Sequence, residues 1–161
     1  MVTFSCTGPQ KEVADNLNNS IALTEERLYN SEDMQINKND AIELIGLYEE
    51  YATEFPDDSL APVYLFRASD LSMNLQRPQE TIVLFNELLK KYPDYDKTPS
   101  VLFLKAFVYE DQLRDLDNAK KYYEEFLEKY PDNDFADDAE MSLKNLGKTP
   151  EELIREFENI E

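Results

Sequence analysis

Apolar residues recur at helical spacing along most of this chain, and one arrangement of them returns three times. Leu44, Leu47, Tyr48, Tyr51, Ala52 and Phe55 precede Pro56-Asp57; Thr81, Leu84, Phe85, Leu88, Leu89 and Tyr92 precede Pro93-Asp94; Ala119, Tyr122, Tyr123, Phe126, Leu127 and Tyr130 precede Pro131-Asp132. Within each copy the positions run i, i+3, i+4, i+7, i+8, i+11, which is one face of an α-helix. The three prolines are offset by 37 and then 38 residues. Proline lacks the donor needed to continue a helix and its ring clashes with the preceding turn, so each stripe predicts a helix closed by its aromatic-Pro-Asp ending. A repeat of this length marks a stacked array of helices, in which each unit buries its apolar face against its neighbours.

The segments between the stripes also read as helices. A first helix is expected over about 10–30, with Val13, Leu17, Ile21 and Leu28 near one face. The polar run 31–39 is the best linker, and Asp40 with Glu43 resembles a capping box opening the next helix. Further helices are expected over about 60–75 and 78–92. Thr98 as cap with Pro99 in the first turn opens one to about 113, and Asp115-Leu116-Asp117-Asn118 turns into the helix that ends at Tyr130. A helix over about 134–146, begun by Asp132 and Asp134, is closed by Gly147 in the left-handed conformation. Thr149-Pro150-Glu151-Glu152 opens the last one. The expected fold is therefore all-α, about eight helices with no strand: a flexible tail over 1–9 and a helical repeat domain over 10–161. Short connections make consecutive helices antiparallel neighbours, with each proline-closed helix the second member of its pair.

Composition narrows the function. The chain has 161 residues, a formal charge of −19 and a pI near 4.2, which opposes nucleic acid and anionic lipid as direct partners. The charge reads first as solubility for an extended array and second as a fit for a basic partner. Hydrophobic content of 42%, with nine Phe and ten Tyr, supplies a core and argues against disorder. With no histidine and a single cysteine, Cys6, zinc sites and histidine-based catalytic triads are excluded, and no intrachain disulfide is possible. Three glycines, Gly8, Gly46 and Gly147, build no phosphate-binding loop. Paired carboxylates mean little among 35 acidic residues. Asp132-Asn133-Asp134 with Asp137 and Asp138 lacks the glycine of a calcium loop and reads as turn and cap. No catalytic residue, metal or cofactor is expected.

The three stripes, the small residues inside the intervening helices (Ala68, Ala106, Ala139) and the Pro-Asp turns together resemble tetratricopeptide repeats (TPRs). The resemblance covers the chain from about residue 10 onward. The spacing is three or four residues longer than the standard 34, and the second-helix alanine is kept only at Ala119. It implies a superhelix of antiparallel helix pairs that binds proteins or peptides without turnover. Lys91-Tyr92-Pro93-Asp94 and Lys129-Tyr130-Pro131-Asp132 are similar to a bacterial cell-envelope branch that includes the Tol-Pal coordinator and the repeat lipoprotein of the outer-membrane assembly machine. In that branch the proteins are short adaptors, periplasmic or tethered to the outer membrane.

Phe4-Ser5-Cys6, followed by Thr7-Gly8-Pro9, looks like the cut site of a bacterial lipoprotein signal, with Thr3 and Phe4 departing from the usual residues. The five residues before Cys6 are fewer than the 7–15 of a signal core, so on this reading Met1 stands in place of a longer leader. On the other reading Cys6 is an ordinary thiol of a cytoplasmic adaptor or oligomer-forming module. No run approaches the roughly 20 apolar residues of a membrane span, so a lipid on Cys6 would be the membrane attachment. The partner surface is expected on the first-member helices. With Ala68 matched to Ala106, it comprises Leu65, Ser69 and Met73 in one unit and Phe103, Phe107 and Glu110 in the next, an apolar groove with polar edges for a peptide. Arg67 and Lys105 precede the matched alanines and are expected to pair with nearby acids, while Tyr48, Tyr51, Tyr122 and Tyr123 pack with hydroxyls at the rim. Oligomeric state is left open.

Overall fold

The structure is a computed structural model, and it describes residues 8–29, 37–149, 151–152 and 154–155. Those residues form seven α-helices and one π-helical turn, and no strand occurs among them. In order they are α1 (Gly8–Tyr29), α2 (Lys38–Glu54), α3 (Leu60–Asn74), α4 (Pro78–Lys91), α5 (Thr98–Phe107), the π turn (Val108–Gln112), α6 (Leu116–Lys129) and α7 (Ala136–Asn145). Glu151, Glu152, Ile154 and Arg155 are helical as well, in line with the eighth helix expected there. No helix among the described residues is long and apolar enough to cross a membrane. The chain divides into two compact units, Met1–Leu84 and Phe85–Glu161.

The aromatic-Pro-Asp turn is the same backbone device three times. The amide of Phe55, Tyr92 or Tyr130 donates back to the helix, to the carbonyls of Tyr51, Leu88 and Phe126. The carbonyl of that aromatic residue accepts from Asp58, Tyr95 or Asn133, whose own carbonyl accepts from Ala61, Thr98 or Ala136. One helix thus ends and the next begins through a chain of backbone hydrogen bonds at the corner. Asp58 and Asn133 add a side-chain oxygen to the amides of Leu60 and Phe135. At this turn the oxygen comes from Asn133, and α7 begins from Phe135 without the side-chain cap expected of Asp132 and Asp134. Tyr95 has no such oxygen, and there the Thr98 hydroxyl, buried one residue inside α5, donates to the Tyr92 carbonyl. Thr98 is thus a helical residue with Lys97 at the cap, not the cap itself.

In the first unit α1 supplies Leu17, Ile21, Thr24 and Leu28 to the core, α2 supplies Ala41, Leu44, Ile45, Tyr48, Tyr51 and Ala52, and α3 supplies Ala61, Tyr64, Leu65, Ala68 and Leu71. Burial of each large side chain is worth roughly 1.5–3 kcal/mol, which is what sets these helices side by side. Arg27 donates to Asp40 at 3.1 Å and to Glu43 at 2.8 Å, fixing α1 antiparallel to α2. Asp40 and Glu43 are thereby taken up by Arg27, and α2 instead starts at Lys38 with Asn37 as its cap, accepting from the amides of Asn39 and Asp40. Carried along the antiparallel pair, this register brings Val13 level with Glu54, where α2 ends. Val13 is accordingly 46% exposed, outside the core where it was expected, and borders a shallow depression with Gln10, Glu54 and Phe55. α1 also begins two residues sooner than the expected Gln10.

In the second unit Leu102, Ala106, Ala119, Tyr123, Phe126 and Ala139 form the buried centre, closed by Leu89, Phe103, Tyr109, Tyr122, Leu127, Tyr130, Leu143 and Leu146. Gly147 ends α7 with φ +77°, the left-handed cap the sequence calls for. Beyond it, the Thr149 amide donates to Glu152 at 2.8 Å and the Glu152 amide to the Thr149 hydroxyl at 3.2 Å, a complete capping box.

Candidate functional site

The one-residue difference between the two proline offsets has a physical location. In α3 the Leu75 amide bonds the Leu71 carbonyl and the Arg77 amide bonds Ser72; in the following repeat the Leu113 amide reaches Val108 and the Asp115 amide reaches Tyr109. Each bond spans one residue more, so the extra residue sits in the π turn. Upstream of it, α3 and α5 match at an offset of 37. The buried residues agree: Ala61, Tyr64, Leu65, Ala68, Ser69 and Leu71 correspond to Thr98, Val101, Leu102, Lys105, Ala106 and Val108, every one of them buried.

This register corrects the expected partner surface. Ala68 matches Lys105 and not Ala106, so Leu65 and Ser69 were set against Phe103 and Phe107 one position out of step, while Met73 and Glu110 do match. Leu65 and Ser69, at 1% and 0% exposure, are core residues with no surface to offer a partner, and the Ser69 hydroxyl is turned to the Phe66 carbonyl. Met73 is half-buried on α3. Phe103 is also part of a core: it stacks on Phe135 at 4.9 Å and meets Phe126 edge-on at 5.7 Å. Phe107 remains 40% exposed. Glu110, in the π turn, accepts from the Tyr123 hydroxyl at 2.8 Å. Met73, Phe107 and Glu110 are what remains available at the surface, Met73 in the first unit and the other two in the second. Cys6 lies outside the described residues.

The first-member helices carry a polar network that spacing alone did not disclose. Glu25 of α1 accepts from the Tyr48 hydroxyl of α2 at 2.6 Å and from Arg67 of α3 at 2.7 Å, both on one oxygen. Tyr64 stacks on Tyr48 at 5.1 Å, meets Tyr51 edge-on at 4.8 Å, and donates to Asn18 at 3.0 Å. Arg67 thus meets an acid as expected. Burial, followed by the hydrogen bond to Glu25, pushes the Tyr48 hydroxyl far above its ordinary range. Tyr123 is displaced the same way, chiefly by burial. Lys105 departs from expectation: it is 5% exposed and its Nζ lies 3.7 Å from the Tyr122 ring centre, with no acid paired to it among the described residues. Tyr109 stacks on the same ring at 5.4 Å. The buried rings of Tyr48, Tyr51 and Tyr123 pack as expected, with the Tyr48 and Tyr123 hydroxyls held by glutamates.

One unpaired group was missed. Asp70, on α3, makes no ion pair or hydrogen bond through its carboxylate among the described residues, and burial raises its pKa. The Tyr29 hydroxyl, on the last residue of α1, is raised by partial desolvation and then by the charges of Glu25 and Asp70. Spacing could have flagged Asp70, because it sits at i, i+4, i+7 with Phe66 and Met73. Among the described residues, no three or more His, Cys, Asp or Glu side chains converge in a group able to hold a metal ion.

Among the described residues the fold is all-α, built of antiparallel helix pairs with a repeated turn, and part of it matches a family model. The tetratricopeptide repeat model matches residues 64–95 and 100–133, which run from α3 to the turn after α4 and from α5 to the turn after α6. These matches support the tetratricopeptide-repeat superfamily, whose repeats in general serve as protein-interaction modules without catalytic chemistry. No curated protein matches the chain.

Proposed function

We propose that this chain is a non-catalytic scaffold for protein–protein interaction, held on the periplasmic side of a bacterial outer membrane by a lipid on Cys6 and serving envelope assembly or maintenance. The observation that carries the scaffold is the pair of tetratricopeptide repeats at 64–95 and 100–133, set among helices whose charge is arranged for structure and whose first-member faces keep exposed side chains. What supports the tether is local: Phe4-Ser5-Cys6 has a small residue before the cysteine, and Cys6 stands two residues ahead of α1. A charge of −19 repels anionic headgroups, so an acyl chain would supply the membrane affinity that the surface lacks.

Two measurements test the reading. The native gene product is expressed with an alkyne-bearing fatty acid, beside a Cys6→Ser variant. Label on the wild type alone, in the outer-membrane fraction, is expected; an unlabelled product in the soluble fraction assigns the adaptor to the cytoplasm instead. Cross-linked capture from envelope extract then compares wild type with Phe107→Asp. Proteins captured by the wild type and lost from the variant are expected, and an empty capture from both ends the scaffold reading.

A further inference from the structure

Residues 1–84 hold fifteen acidic against five basic side chains, and three of those five are committed within the fold. Arg27 is held by Asp40 and Glu43, Arg67 by Glu25, and Arg77 by Glu80. Against this background Asp70 stands out for its position. Arg67 lies one turn before it on α3, yet its guanidinium is turned to Glu25 of α1. Among the described residues the Asp70 carboxylate makes no ion pair or hydrogen bond, while its backbone carbonyl accepts from the Asn74 side chain at 2.9 Å. Phe66 and Met73, both half-buried, lie on the same helical face four residues before and three after. α1 runs beside α3 through the Glu25–Arg67 and Asn18–Tyr64 contacts, and Tyr29, 63% exposed, stands one turn beyond Glu25. An exposed carboxylate with no cation paired to it among the described residues, on one helical face with aromatic and thioether side chains, fits one kind of guest. A guanidinium offers parallel donors to the carboxylate and a flat face to the tyrosine, and its methylene stem covers Phe66 and Met73.

We propose that the α1–α3 face of the first unit, centred on Asp70 and Tyr29, docks an arginine side chain presented by a basic segment of a partner protein. This deepens the scaffold reading above and rests on it for the nature of the partner. The charge of the guest is set by the uncompensated carboxylate; its shape is set by the neighbouring rings. The surplus of acid over residues 1–84 adds long-range attraction, which speeds encounter and makes it sensitive to salt.

The test needs no partner protein. Backbone amide shifts of the full chain are followed by NMR while N-acetyl-arginine N-methylamide is added, with the norleucine counterpart and spermidine as controls. Shift changes centred on Tyr29 and Asp70 are expected with the arginine probe and not with norleucine. Asp70→Asn should weaken the probe about fivefold or more, and Tyr29→Leu about threefold. Both positions are exposed, and the free spectrum of each variant reports whether the fold is kept. The proposal is overturned if the changes spread over the acidic surface without a centre, if Asp70→Asn leaves the affinity unchanged, or if spermidine gives the same pattern as tightly. Such a result would leave the scaffold reading to the envelope capture. An empty capture with localised arginine shifts would instead remove the scaffold and keep the site.

Discussion

The Tyr48 hydroxyl donates to the Glu25 carboxylate at 2.6 Å, from a ring that is wholly buried. In the register of the turns Tyr48 corresponds to Tyr123, and Tyr123 is likewise buried and donates to a glutamate of its own first-member helix, Glu110, at 2.8 Å. At the matching positions of the middle pair the chain has Phe85 and Met73, which lack both the hydroxyl and the acid. Donor and acceptor are present together or absent together. A buried hydroxyl without an acceptor, or a carboxylate deprived of one, costs more than an apolar pair. Tyr48→Phe should therefore lower the stability of the first unit by about 1–2 kcal/mol, and Tyr123→Phe that of the second by a similar amount. Urea unfolding of each variant checks this; an unchanged midpoint would mean that water serves the glutamate equally well.

The same burial predicts an alkaline limit. Tyr48 and Tyr123 both titrate well above the ordinary tyrosine value of 10.0 in the folded protein. Above that pH the unfolded chain loses phenolic protons that the folded chain retains, so the unfolded state binds fewer protons and stability falls as pH rises. The contribution is fully present below about pH 10 and declines beyond it. Urea midpoints measured from pH 8 to 11 should be flat and then drop, and the double Phe variant should show a shallower drop.

The π turn predicts where the chain tolerates a deletion. Removing Asp111, exposed within that turn, returns the helix to ordinary bonding and the repeat to an offset of 37. The buried set upstream keeps its phase, so cooperative unfolding should survive with Tm lowered by no more than about 5 °C. Removing Leu104 rotates Thr98, Val101 and Leu102 by about 100° away from Lys105, Ala106 and Val108. That variant should lose about 15 °C or more, or fail to unfold cooperatively. Thermal scans by circular dichroism compare the two directly.

The parts of this fold that were legible in the sequence are those with a local cause. A proline that follows a full helical stripe closes that helix, so the three corners could be placed from Pro56, Pro93 and Pro131, and Gly147 marked a left-handed cap through its own conformational freedom. What was not legible depends on residues far apart. Asp40 and Glu43 look like a capping pair until Arg27 claims both from another helix. Ala68 and Ala106 look like one repeated position, because a single inserted residue within a continuous helix leaves no glycine or proline to mark it. The candidate surface failed at Leu65 and Ser69 for that reason, while Asp70 escaped notice because its spacing with Phe66 and Met73 says nothing of whether a cation pairs with it. Only the fixing of Arg67 on Glu25 sets it apart.

Lys105 occupies the position that Ala68 fills one repeat earlier, and it is buried with no acid paired to it among the described residues. Its ammonium is held by the face of Tyr122, with Lys121 also 5.0 Å from that ring. Such a contact is worth about 0.5–2 kcal/mol, close to what partial desolvation of the charge costs. Lys105→Met keeps the stem and removes the charge, so stability should move by less than about 1 kcal/mol. Lys105→Glu sets a carboxylate against the negative face of the ring and should cost about 3 kcal/mol or more. A loss from Lys105→Met as large as that from Lys105→Glu would require an ion partner for this lysine.

Three of the described residues hold the left-handed backbone conformation, and they should respond oppositely to substitution. Gly147, at φ +77°, has space for a Cβ only at 3.1 Å from Leu116 Cδ1, so Gly147→Ala meets both backbone strain and a close contact, costing about 1–2 kcal/mol. Gln76 and Arg114 adopt φ 57° and 55° at the turns that lead into α4 and α6, one at each corresponding position. A non-glycine residue there bears about 1–2 kcal/mol of strain, offset by the roughly 0.5–1 kcal/mol of extra chain entropy that glycine would lose on folding. Gln76→Gly and Arg114→Gly should each therefore raise stability slightly, by about 0.5 kcal/mol, and their effects should add because they lie in different turns. Urea midpoints of the single and double variants decide it. If either glycine destabilises, its side chain makes a contact worth more than the strain it bears.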